Sequence, residues 1–307
     1  MHPSFPAVLA GLLLAAVPLR AQSPLVVPLW PGAAPGSEHL TIREKVTERS
    51  ADPGRHDRIY TQIVTPTLTV KRPAHPNGVG IIVAPGGGYL RIVIDKEDPD
   101  TSAWLNRIGV TALVLKYRLP DEGHEHPLDV ALEDGQRAVR LARFHAREWG
   151  LDPDRIGFLG YSAGGHLASS VAYFSDARVY EPVDAADALS ARPDFAILGY
   201  AVGARGAPPA SLAGLPPHVA VTWKYRFEPK PGVRYPPTFL FQANDDPTVP
   251  SATTAETYLK LKASGTPAEM HIFLHGGHGF GIRDAKGPNA IWPQLCEAWM
   301  REIGVLR

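Results

Sequence analysis

Residues 155–164 read Arg155-Ile156-Gly157-Phe158-Leu159-Gly160-Tyr161-Ser162-Ala163-Gly164, an apolar run ending in a serine bracketed by glycines, and small residues continue to Ala172. The apolar run has the character of a buried strand and the small-residue stretch that of a closely packed helix, so the turn between them is sharp. A serine at the tip of such a turn holds its hydroxyl clear of the backbone. Glycines two positions to either side leave room where strand and helix approach. Ser162 is therefore the candidate nucleophile.

Working outward from this turn, residues 79–84 and 110–116 are almost unbroken apolar runs, as expected of strands covered on both faces of a parallel sheet. Residues 58–64 and 67–70 alternate instead, the period of half-buried antiparallel edge strands. Further strands are expected at 194–200, 237–242 and 268–273. Helical spacing is clearest at 128–149, where Val130, Leu132, Ala138, Val139, Leu141, Ala142 and Phe144 recur at steps of three and four. Helices are also expected at about 251–263 and 289–303. Alternation of strand and helix predicts an α/β fold with a mostly parallel sheet covered by helices on both faces. The Pro- and Gly-rich residues 24–37 read as an irregular surface arm. Two stretches interrupt the alternation, 175–192 and the proline-rich 201–235 with Trp223, Tyr225, Phe227 and Tyr235. Both are read as insertions following strands, placed to cover a site at the carboxyl ends of the sheet.

Composition narrows the possibilities. A chain of 307 residues with 44% hydrophobic content fits one large domain, taken as residues 22–307. Its 31 basic side chains balance 31 acidic ones without a basic run, which argues against nucleic acid or an anionic membrane as partner. The expected partner is a small or neutral substrate. The lone cysteine, Cys296, falls in the apparent C-terminal helix among Trp292, Leu295 and Trp299 and is read as a packing residue. Residues 7–17 form an apolar run of signal-peptide length, too short to span a bilayer, and Ala21 suits a cleavage point, although the segment before the run lacks Lys and Arg. Residues 1–21 are thus expected to be a signal peptide and the mature protein periplasmic or secreted.

The partners a nucleophilic serine needs follow in order. Pro85-Gly86-Gly87-Gly88-Tyr89 joins a buried strand to the next helix, and its glycines free backbone N–H groups to point inward. The N–H groups of Gly87, Gly88 and Ala163 are the candidate oxyanion hole. Asp246, in Asn244-Asp245-Asp246-Pro247-Thr248-Val249-Pro250, is the candidate to orient a histidine, with Asp245 as the fallback. His278, in Leu274-His275-Gly276-Gly277-His278-Gly279-Phe280-Gly281, is the candidate base and is preferred to His275 because glycines flank it. No acidic or cysteine ligand accompanies the two histidines at metal spacing, so no metal site is expected. His124 and His126, beside Glu122 and Glu125, read as a solvated loop. Trp223, Tyr225 and Tyr89 are weighed as stacking faces for a sugar against ordinary packing.

Gly160-Tyr161-Ser162-Ala163-Gly164-Gly165-His166-Leu167-Ala168 resembles the corresponding segment of secreted bacterial α/β-hydrolase esterases related to acetylxylan esterases. Similar segments follow that group's order at 85–89, 114–119 (Val-Leu-Lys-Tyr-Arg-Leu), 152–155, 246–250 and 276–280. Many relatives carry His where this chain has Pro85, and the acetylxylan branch tolerates Pro. The resemblance implies an α/β-hydrolase fold with Ser162, Asp246 and His278 as the triad of a serine esterase. It also implies no cofactor and an ester substrate, foremost the acetyl groups of xylan-derived oligosaccharides. The same motifs serve prolyl oligopeptidase-like peptidases and formamidase-like amidases, and a catalytically silent binding protein could share the fold. Such peptidases usually carry a large N-terminal propeller, for which the roughly sixty residues before the first central strands leave little length.

Overall fold

The computed structural model describes residues 24–230 and 232–306, so the expected signal peptide lies outside the described residues. An eight-stranded sheet is ordered β1-β4-β6-β5-β7-β8-β9-β10. Its strands are β1 (Leu25–Pro28), β4 (Thr67–Lys71), β5 (Gly80–Ala84), β6 (Thr111–Lys116), β7 (Ile156–Tyr161), β8 (Phe195–Gly199), β9 (Thr238–Ala243) and β10 (Ala268–Phe273). β5 to β10 are parallel, and β4 runs antiparallel to both neighbours, β1 and β6. The central strands are buried along their whole length, as their unbroken apolar runs require.

Two apolar cores cover the faces. One packs Leu132, Val139, Leu167 and Val171 of α3 (Val130–Phe144) and α5 (Ala163–Tyr173) on Ile82, Phe158 and Leu198. The other packs Trp104 of α2 (Pro99–Arg107) and Trp292, Cys296 and Met300 of α8 (Trp292–Glu302) on Ile81, Leu159, Ile197 and Phe241. Alternating residues of one strand thus feed opposite cores. Cys296 is buried as expected, which pushes its thiol well above the ordinary range.

Several expectations need correction. Residues 25–28 of the supposed arm form strand β1, and its last residue, Pro28, sits where an edge strand tolerates a missing donor. Residues 58–64 do not join the main sheet. β3 (Arg58–Thr61) pairs with β2 (Lys45–Glu48) in a separate ribbon, because Gln62 turns to a positive φ of 57°. The Glu122 carboxylate there accepts the N–H groups of Gln62 and Ile63. The helix at 128–149 breaks at His145 into α3 and α4 (Ala146–Trp149), and Phe144 faces solvent. Its polar side contains a buried ion cluster in which Arg118 donates to Glu133 and Asp134, each at 2.8 Å. The expected solvated loop is also packed, since His124 is buried against Ser37 Oγ at 2.9 Å.

The segment 175–192 follows α5, not a strand. Because α5 starts at the carboxyl ends of the strands and runs back along the sheet, this segment begins at the far end from the elbow. There Asp184 accepts from Arg137 and Tyr180 from Arg140. It cannot cover a site at the elbow. The segment 201–235 does begin beside it: the N–H of Val202 donates to the carbonyl of Ser162 at 3.1 Å, and α6 (Pro217–Lys224) lies further on.

Candidate active site

The strand order reverses between β5 and β7, and ligand sites of open α/β sheets form at such points. The loop after β5 is Pro85 to Tyr89, and the turn after β7 carries Ser162. That turn is as tight as its glycines imply. A Cβ on Gly160 would stand 1.9 Å from the Gly164 carbonyl oxygen, and one on Gly164 would stand 2.1 Å from that of Ala84. Ser162 itself has φ 53° and ψ −118°, a strained conformation for a residue with a side chain. Its N–H is held by the Gly199 carbonyl at 2.9 Å.

The loop between β10 and α8 brings His278 over the serine. Ser162 Oγ lies 2.9 Å from His278 Nε2, and His278 Nδ1 lies 2.7 Å from Asp246 Oδ2. Asp246 leaves β9 in a turn that satisfies its carboxylate from several sides. Thr248 and Val249 each donate an N–H to Oδ1 at 2.8 Å, and Gln242 Nε2 donates to Oδ2 at 3.2 Å. Its side chain is wholly buried, and that of His278 is 20% exposed, so the imidazole faces both the carboxylate and the open site. Asp245 points elsewhere. Its carboxylate accepts the Gly277 N–H at 2.8 Å and faces the exposed His275 at 3.1 Å, and the Gly277 bond holds it below the usual carboxylate range.

The loop of Gly87 and Gly88 lies against this array. A Cβ on Gly86 would fall 2.9 Å from Ser162 Cβ, and Gly87 at φ 132° and Gly88 at φ 69° hold conformations that favour glycine. Among the described residues no acceptor takes the N–H groups of Gly87, Gly88 or Ala163, which leaves them for a ligand oxygen. Three side chains pin the loop. Tyr117 O–H donates to the Pro85 carbonyl at 2.8 Å, Tyr89 O–H meets His166 Nδ1 at 2.8 Å, and Glu97 Oε2 accepts the Gly86 N–H at 2.6 Å. Tyr89 and Tyr225 are buried, so neither offers a stacking face for a sugar.

Reading the sequence missed Glu97, Tyr200 and His166. Glu97 ends α1 (Ile94–Glu97) within Asp95-Lys96-Glu97-Asp98, which has the composition of a solvated turn, and Tyr200 follows β8 inside an apolar run. The one available signal was position. Pro99 begins α2, which places the acidic cluster at the junction of two helices beside the glycine loop. Burial raises Glu97 to about 7 and lowers His166 to about 4. Among the described residues no group of three or more His, Cys, Asp and Glu side chains could hold a metal ion, and no helix is long and apolar enough to cross a membrane.

Chemically, a hydroxyl on a strained turn, an imidazole within hydrogen-bond reach, a buried carboxylate behind it and unpaired N–H groups beside it are the parts of acyl transfer. Comparison with known proteins points the same way. The α/β hydrolase fold family matches residues 81–212, and the prolyl oligopeptidase family matches residues 217–302. A crystal structure of an acetyl ester-xyloside bifunctional hydrolase from Caldicellulosiruptor lactoaceticus is 32% identical with a TM-score of 0.67, covering 92% of this chain and 97% of that one. An acetylxylan esterase of Xylanibacter ruminicola is 30% identical over 231 residues, 68% of this chain and 42% of the relative. Endo-1,4-beta-xylanase B of Butyrivibrio fibrisolvens is 30% identical over 66% of this chain and 32% of its own. The chain thus spans less than half the length of these two relatives. Apo esterase 2 of Thermogutta terrifontis, 24% identical with a TM-score of 0.66 over 91% of this chain and 98% of that one, shares the fold.

Proposed function

Because the chain belongs to the α/β-hydrolase family, among its acetylxylan esterase-like members, we propose that it is a serine carboxylic-ester hydrolase acting through an acyl-enzyme. The observation that carries this reading is the continuous line of hydrogen bonds from Ser162 Oγ through His278 to Asp246. Ser162 attacks the ester carbonyl as His278 Nε2 takes its proton, and Asp246 holds the imidazole in the tautomer this requires. The oxygen of the tetrahedral intermediate is received by the N–H groups of Gly87, Gly88 and Ala163. His278 returns the proton to the departing alkoxide and then deprotonates the water that releases the acid and regenerates Ser162.

The leading substrates are acetyl esters of xylan-derived oligosaccharides, supported by the names of two relatives that together span most of this chain. Residues 22–307 would form one catalytic domain, exported after removal of residues 1–21. N-terminal sequencing of the protein recovered outside the cytoplasm should begin at Gln22, and recovery of an uncleaved cytoplasmic protein would contradict export.

The test of substrate is acetate release from acetylated xylo-oligosaccharides, set against p-nitrophenyl acetate hydrolysis, by the mature protein and Ser162→Ala. Serine-dependent deacetylation of the sugars, efficient beside the activated ester, supports the carbohydrate assignment. Turnover of the activated ester alone removes it. The prolyl oligopeptidase family match favours a second reading, cleavage of an amide by the same residues. Hydrolysis of proline-containing peptide anilides faster than acetyl esters would establish that reading instead.

A further inference from the structure

Glu97 is 3% exposed, and among the described residues no Lys, Arg or His lies within ion-pair distance of it. Its helix neighbour Lys96 turns toward Asp284 instead, at 4.0 Å. Burying a carboxyl group without a counter-charge is costly, and an apolar residue would fill the same space more cheaply. The group therefore needs a role beyond packing.

Its two oxygens reach different parts of the active centre. Oε2 accepts the Gly86 N–H at 2.6 Å, at the root of the loop that presents Gly87 and Gly88. Oε1 accepts the Tyr200 O–H at 3.1 Å. Tyr200 in turn supports His278. Its ring meets the imidazole edge-on at 5.2 Å, and its oxygen accepts the Gly281 N–H at 3.1 Å, three residues past the histidine. A positive φ of 36° at Tyr200, with its N–H held by Phe241 O at 2.7 Å, aims the ring there from the end of β8. The glycine loop and the histidine loop come from opposite ends of the chain, and this one carboxyl group bridges them. Tyr117 just after β6, Tyr161 at the end of β7, and Asp98 and Lys96 from its own segment complete the ionisable groups around it.

We propose that Glu97 is a positioning residue of the esterase centre, setting the placement of the oxyanion donors relative to His278 through Gly86 and Tyr200. The proposal rests on the esterase reading above. Both contacts act on groups that matter most in the transition state, so losing them should lower kcat and spare KM. Gln retains an oxygen for Gly86 and can donate to the Tyr200 oxygen, so Glu97→Gln should restore much of what Glu97→Ala loses.

The experiment measures kcat and KM for p-nitrophenyl acetate in wild type, Ser162→Ala, Glu97→Ala, Glu97→Gln, Tyr200→Phe and the Glu97→Ala, Tyr200→Phe double variant, with folding matched by near-UV circular dichroism. Displacing reacting groups by about 1 Å costs up to ~100-fold, so kcat of Glu97→Ala and Tyr200→Phe should fall ~10- to 100-fold with KM within ~3-fold. Glu97→Gln should recover most of that loss, and the double variant should lose clearly less than the product of the two single losses, because the Glu97–Tyr200 contact is removed by either substitution. A kcat for folded Glu97→Ala within ~3-fold of wild type, a loss confined to KM, or multiplicative losses in the double variant would overturn the proposal. If Glu97→Ala does not fold, Tyr200→Phe decides, and a kcat within ~3-fold of wild type counts against the proposal. An inert wild type, or turnover surviving in Ser162→Ala, would defeat the esterase reading itself and the proposal with it.

Discussion

His278 Nδ1 stands 2.7 Å from Asp246 Oδ2, and the carboxylate it meets is fully removed from water. A buried carboxylate fixes which ring nitrogen carries the proton, so Nε2 faces Ser162 as an acceptor. The adjacent Asp245 is exposed and engages the rim of the same loop through Gly277 and His275.

Exchanging either aspartate for asparagine separates these roles. Asp246→Asn should lower kcat by on the order of ten-thousandfold by favouring the wrong tautomer, with the fold retained. Asp245→Asn removes only exposed contacts and should leave kcat within about threefold. Steady-state kinetics on an activated ester checks both, and the opposite ranking would transfer the orienting role to Asp245.

The elbow glycines carry a stability prediction. A Cβ on Gly164 would lie 2.1 Å from the Ala84 carbonyl oxygen, where only backbone can yield. Gly164→Ala should cost about 3 kcal/mol or more, or abolish soluble expression. Gly150, also at positive φ but with nothing near its Cβ position, should cost only about 1 kcal/mol as alanine. Comparable urea midpoints for the two variants would contradict the tight elbow.

His166 predicts a pH dependence of stability. Burial depresses its imidazole from 6.5 to about 4, so between those values the unfolded chain binds a proton that the folded chain does not. Its contribution is thus complete above pH 6.5 and is lost as pH falls toward 4. His166→Asn should flatten the curve of unfolding free energy against pH in that window by up to ~1.4 kcal/mol per pH unit. Parallel curves for wild type and variant would show that His166 does not titrate this way.

The elbow, the glycine loop, Asp246 and His278 were readable because each depends on local chemistry: glycines at a crowded turn, an acidic turn after a strand, a histidine in a glycine-rich loop. The central strands were readable for a similar reason, since burial on both faces leaves an unbroken apolar run. What escaped were polar groups whose role is set by distant parts of the chain. Glu97 and His124 belong to segments with the composition of solvated turns, and Glu133 lies among the apolar positions that marked the helix at 128–149, yet all three are buried by contacts with Gly86, Ser37 and Arg118. β1 was hidden because a short edge strand with prolines resembles a loop, and the strand at 58–64 was overextended because the turn at Gln62 is imposed from Glu122.

The central claim is that Ser162 is the nucleophile activated by His278, and reaction with a fluorophosphonate tests it most directly. Intact-mass analysis followed by peptide mapping should find one adduct per chain, on the peptide bearing Ser162, absent from Ser162→Ala and strongly slowed in His278→Ala. An adduct on another residue, or equal labelling of wild type and Ser162→Ala, would contradict the account.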